Sequence, residues 1–151
     1  MDLDPEWKQE VGVNWSQEEE LKAEKKYLLK FNSKMIKFKS LNRSKDFIEI
    51  LKKKKLSTKY YTIYFDKNSK NPSKYLNISF VTKKKIGNAV VRNKIKRKLK
   101  YAIQKLYKET RLIDQNYTYV IFGKNNVYKE KFVNVLFEIN KTFKKIKQMS
   151  N

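Results

Sequence analysis

The eighteen residues from Lys83 to Lys100, KKKIGNAVVRNKIKRKLK, hold nine Lys or Arg and no Asp or Glu. A run this basic is ordinarily a solvated tail, but this one also carries an apolar register. Val91, Ile95, Leu99, Ala102 and Leu106 recur at spacings of four, four, three and four. At roughly 100° per residue they form one continuous stripe along a helix. Arg92, Asn93, Lys96, Arg97 and Lys100 gather on a second face, about 120° around by the same arithmetic. The chain must therefore bury this helix on one side and keep a fixed array of cations accessible on another. Exposed helices usually mix charge signs, which gains i,i+4 pairs and avoids repulsion. A helix that forgoes this points to a bound polyanion.

The whole chain shares that bias. Thirty-seven basic against 15 acidic residues give +22 over 151 residues, and nucleic acid is the commonest partner for such a balance. A membrane-surface protein would carry its amphipathic basic helix at a terminus; this helix lies mid-chain between predicted strands. The sequence has no apolar run of membrane-spanning length and no secretory signal at its acidic N-terminus, so a cytoplasmic protein with no membrane partner is expected. There is no Cys and no His, which excludes disulfides, zinc knuckles and thiolate or imidazole catalysis. Only four of the cations are Arg: Arg43, Arg92, Arg97 and Arg111. Two of them lie in the central helix, where a guanidinium fork can bind a phosphate or a guanine edge bidentately.

Residues 1–34 carry a net charge of −2 and leave +24 on residues 35–151. The division expected is an N-terminal extension over 1–34, flexible or a short helix, and a folded domain over 35–151. Ser16 with Glu19 reads as a capping box opening SQEEELKAEKKYLLKF, but Leu21, Leu28 and Phe31 are too sparse for a core face. Ser44 is expected to cap a short helix running to about Lys54, with Phe47, Ile50 and Leu51 on one side and LKKKKLS closing it. Residues 58–66 and 75–82 alternate as strands and, joined by a polar loop, are expected to pair antiparallel. The long helix spans about Asn88 to Lys108, with Asn88 placed to cap it. Residues 117–123, YTYVIFG, are apolar at nearly every position and predict a central strand. A final helix over 128–147 carries Phe132, Val135, Leu136, Ile139 and Phe143 on one face. This order predicts an α+β sandwich on one small sheet.

Strand aromatics are usually core, yet residues 58–66 have them on both faces. One face must then meet something other than the principal core. A sheet face with exposed Tyr beside a basic helix suits unpaired RNA bases, and either Tyr61 or the pair Tyr60 and Tyr64 fills that role. The basic body has seven carboxylates, at Asp46, Glu49, Asp66, Glu109, Asp114, Glu130 and Glu138. They are too scattered for a two-metal nuclease, so neither catalytic residues nor a metal site are expected on this chain. Lys94, Lys98 and Lys105, on the other flank of the helix, face either RNA or water.

The segment Lys84-Lys85-Ile86-Gly87-Asn88-Ala89-Val90-Val91-Arg92-Asn93-Lys94-Ile95-Lys96-Arg97 resembles the signature of the bacterial ribonuclease P protein components. The likeness runs from about Leu41 to Phe143 and takes in Leu41, Asp46 and Phe47 at its start and the strand Tyr119 to Phe122. It implies an α-β sandwich on a small mixed sheet, order α-β-β-(β)-α-β-α, with a left-handed βαβ crossover, a fold shared with a ribosomal protein domain. It also implies that a catalytic RNA subunit performs the chemistry, endonucleolytic removal of the 5′ leader of precursor tRNA. Magnesium is then held mainly by that RNA, and the protein itself binds no cofactor. By position, Arg92, Asn93, Lys96, Arg97 and Lys100 would face the catalytic RNA. Phe47 and Tyr61, with Lys84 or Lys85, would line the leader cleft. Lys94 stands where the family commonly has Arg, and Leu51 where it has an aromatic. A structural RNA-binding protein, such as a ribosomal component, is the alternative reading.

Overall fold

The most apolar of the predicted strands holds the middle of the sheet. The structure, a computed structural model, describes residues 16–19, 21–22, 36–68 and 74–150. The chain divides into two units, Met1–Met35 and Ile36–Asn151. In the first, Ser16 and Glu19 form the expected capping box: Glu19 N–H donates to Ser16 Oγ at 3.3 Å and Ser16 N–H to Glu19 Oε2 at 3.2 Å. Leu28 and Phe31 lie outside the described residues, and Leu21 is exposed.

The second unit runs β1 (Phe38–Lys39), α1 (Ser44–Ile50), β2 (Lys54–Ser57), β3 (Tyr61–Lys67) and β4 (Leu76–Thr82). A 3-10 turn (Lys84–Ile86) then leads to α2 (Ala89–Glu109), β5 (Tyr117–Gly123), α3 (Asn126–Lys129) and α4 (Phe132–Ser150). The sheet order is β1-β4-β5-β3-β2. β5 is antiparallel to β3 and parallel to β4, so α2 is the crossover of a βαβ unit. The expected antiparallel pairing of residues 58–66 with 75–82 is therefore corrected. Tyr119, Val120 and Ile121 are all fully buried, and a strand apolar on both faces must be covered on both faces and paired on both edges. It separates β3 from β4.

Two strands escaped the sequence pattern. Lys54–Ser57 pairs antiparallel with β3, Leu56 opposite Ile63, where the sequence suggested the tail of a helix. α1 accordingly stops at Ile50 rather than near Lys54. Thr58 makes the turn between the strands, its Oγ1 accepting from the amides of Tyr60 and Tyr61 at 3.3 and 3.2 Å. Exposed lysines on such an edge also discourage pairing with another chain. β1 is two residues long and is pinned by Gln104, whose amide donates to Ile36 O at 2.7 Å and accepts from Ile36 N at 3.2 Å. Ser44 does not cap α1; it is the first helical residue, after Arg43.

α2 and α4 cover one face of the sheet. Ile95, Leu99, Ala102, Ile103 and Leu106 of α2 meet Val135, Ile139, Phe143 and Ile146 of α4 and the inward residues of β3, β4 and β5 in one core. Asn88 caps α2 as expected, its side chain accepting from Val91 N at 3.0 Å. Gly123 is required by this packing: a Cβ there would lie 2.6 Å from Ile95 Cγ2 and 3.0 Å from Leu99 Cδ1. α1 lies on the opposite face of the sheet, where Phe47 meets Phe122.

Candidate nucleic-acid interface

The cationic face of α2 has the composition the stripe arithmetic predicts. Asn93, Arg97 and Lys100 are exposed, and Arg92 and Lys96 half-buried. No carboxylate among the described residues pairs with any of these cations. The Lys100 ammonium sits 5.7 Å from the Phe38 ring centroid, close enough for a cation–π contact. Arg92 Nε is buried with no acceptor, an expensive state for a charged donor.

The other flank is engaged with the protein itself. Lys98 Nζ donates to the carbonyls of Val127 at 2.9 Å, Tyr128 at 3.4 Å and Glu130 at 2.6 Å. It thereby satisfies the carbonyls around the end of the short helix α3, which has no further turn to receive them. Burial, with Lys94 nearby, lowers the Lys98 pKa from its ordinary value. Lys94 lies 4.9 Å from the Tyr128 ring centroid, and Lys105 pairs with Glu109 at 3.4 Å. Glu130 anchors the same region. Its carboxylate accepts from Asn134 Nδ2 and Tyr60 Oη, each at 2.7 Å, and from Lys131 N at 2.9 Å. These donors, Asn134 and Tyr60 first, hold its pKa down at about 2.

The structure also separates the two tyrosine alternatives. Tyr61 is 1 % exposed. Its hydroxyl lies 2.6 Å from Thr142 Oγ1, which in turn donates to Glu138 O at 2.9 Å. Burial pushes its pKa well above the ordinary tyrosine value. The assignment of Tyr61 to a leader cleft is therefore corrected: odd positions of β3 point into the core between sheet and helices. Tyr60 is also buried, against Glu130. Tyr64 points the other way, edge-on to Phe122 with centroids 5.7 Å apart, and Phe47 reaches Phe122 from α1 at 6.0 Å.

Tyr64 and Phe122 border a cavity of about 280 Å³ at the end of the sheet nearest the start of α2, lined also by Thr62, Ile86, Lys83, Lys85 and Lys124; Phe47 packs on Phe122 but does not itself line the cavity. Thr62 pairs with Phe122 in the ladder, which puts both on the same face. The 3-10 turn places Lys83 and Lys85 on the rim. Lys84 is exposed and does not line the cavity. Phe122 is not among the candidates read from sequence, and of the three lysines Lys83 to Lys85, among which the sequence leaves the register open, Lys83 and Lys85 line the cavity. For Phe122 the signal was hidden, because β5 is apolar at alternate positions of both faces. The described residues bring together no group of three carboxylates, imidazoles or thiolates able to hold a metal, and no helix among them is long and apolar enough to cross a membrane.

Comparison with known proteins follows the same outline. Residues 35–147 match the family model of ribonuclease P. The chain is 34% identical over 104 residues to the ribonuclease P protein component of Mesoplasma florum, covering 68% of this chain and 90% of that one. It is 31% identical over 107 residues to that of Mycoplasma mycoides, covering 71% and 94%. The ribonuclease P protein of Thermotoga maritima, solved in complex with 1-(4-fluorophenyl)-2-thiourea, superposes with a TM-score of 0.56 at 25% identity over 69% of this chain and 96% of that one. With a family match over the whole βαβ core and its cationic helix, this chain belongs to the ribonuclease P protein family, the protein components that act with a ribonuclease P RNA as an endoribonuclease of tRNA processing.

Proposed function

We propose that this protein binds its catalytic RNA through Arg92, Asn93, Lys96, Arg97 and Lys100, and holds the single-stranded 5′ leader of precursor tRNA in the cleft of Tyr64 and Phe122, on which Phe47 packs. Lys83 and Lys85 on the rim would meet leader phosphates. The observation that carries this reading is a juxtaposition: the aromatic cavity opens beside Lys83 and Lys85, at the start of the helix bearing the cationic face. Stacking on rings accepts any base, and lysines track the backbone without reading it. A leader of varying sequence needs both.

Hydrolysis of the phosphodiester, on this reading, takes place on the RNA. The holoenzyme's magnesium, on the same reading, is held mainly by RNA phosphates. The protein's part is to neutralise charge and position the leader, in the cytoplasm where tRNA is made. The test is cleavage of a precursor tRNA by the cognate RNA subunit at low magnesium. Added protein should stimulate cleavage strongly; no stimulation would contradict the proposal.

A further inference from the structure

The outer face of α4 has no part in the surfaces above, yet it is not an ordinary solvated helix face. Phe137 is 70 % exposed and Val133 44 %. Lys141 and Lys144, both exposed, continue the same stripe, since positions 133, 137, 141 and 144 fall within about 80° at 100° per residue. With a rise of 1.5 Å per residue the stripe is about 16 Å long. Beyond Glu138, α4 carries Lys141, Lys144, Lys145 and Lys147 and no acid. Across the helix layer Tyr101, four residues from Arg97 and 43 % exposed, meets Phe132 edge-on at 5.5 Å.

We propose that this stripe is a second RNA contact, with Phe137 stacking on an unpaired base of the ribonuclease P RNA while Lys141 and Lys144 meet adjacent phosphates. Charge selects the occupant. A second copy of a chain carrying +22 would bring like charge against like charge, whereas an RNA offers both the anion and a flat apolar face. The α2 face is the RNA-binding face on the reading above, and α4 packs beside α2 in the same helix layer, with Phe132 of α4 against Tyr101 of α2. The proposal rests on that reading for the identity of the RNA.

The test measures the affinity of the full-length protein for the RNA subunit transcript, as a function of salt. Phe137→Ala and Phe137→Leu should each weaken binding about tenfold, and Phe137→Tyr should restore it. Leu keeps apolar bulk but has no ring, so the pair separates stacking from simple burial. Lys141→Ala with Lys144→Ala should flatten the log K against log salt slope by about 1.5. Unchanged affinity and slope in all these variants would overturn the proposal. So would a dimer that Phe137→Ala dissociates while RNA affinity stays unchanged. Arg97→Ala is run in parallel: loss there with none at Phe137 removes only the second contact, whereas no loss at Arg97 contradicts the α2 face.

Discussion

Tyr61 and Tyr64 are three residues apart on one strand, and the two flanks of α2 are a quarter-turn or so apart on one helix, yet each pair divides between closed and open surroundings. Tyr61 and Lys98 both turn toward the helix layer and spend their polar groups on the protein, on Thr142 in one case and on three carbonyls in the other. Tyr64 and Arg97 turn away from it, to a cavity and to solvent. Residue type does not decide function here. A lysine next to a free carbonyl end becomes a cap, and the same lysine one face further on remains available to phosphate.

The contrast can be broken most severely at Tyr61. Tyr61→Ala should destabilise the fold by about 3–5 kcal/mol, as truncation of large buried aromatics does, seen as a lowered melting temperature. Gly123→Val comes next: the new Cβ would meet Ile95 and Leu99, and overpacking of this kind costs about 1–3 kcal/mol. Tyr64→Ala should leave the melting temperature nearly unchanged but weaken binding of leader-bearing tRNA by about 1–3 kcal/mol. The flanks of α2 should separate in a similar way. Lys98→Met should lower stability by about 1–3 kcal/mol through the abandoned carbonyls and leave the salt slope of RNA binding alone. Arg97→Ala should do the reverse, flattening that slope by about one unit.

The smallest effect is acid sensitivity at Glu130. Its pKa is held down at about 2 against an ordinary 4.5. The stabilisation it contributes is therefore fully present above about pH 4.5 and lost as pH falls from there toward 2. Glu130→Gln should reduce that part of the acid dependence, read from melting temperatures between those values.

What could be read from sequence was what repeats locally. α2 was legible because its cap, stripe and cationic face lie within one continuous segment, and β5 because few strands are apolar on both faces. β2 was not legible: its one inward apolar residue is Leu56, and a lysine run before it resembles a frayed helix end. The order of strands depends on β5 arriving between β3 and β4, a pairing that no local pattern in either strand encodes. The face occupied by Tyr64 was undecidable because β3 carries aromatics on both sides. Lys98 gave no sign either, since the carbonyls it satisfies are about thirty residues along the chain.

The side of β3 that meets the leader decides between Tyr64 and Tyr61. The direct measurement is holoenzyme affinity for precursor tRNA relative to mature tRNA, with Tyr64→Ala and Tyr61→Phe compared against the native protein. The expected result is that Tyr64→Ala removes much of the preference for the leader-bearing substrate, while Tyr61→Phe keeps the preference and loses only the hydroxyl's hydrogen bonds to Thr142 and the Glu138 carbonyl. A preference unchanged by Tyr64→Ala and abolished by Tyr61→Phe would contradict it.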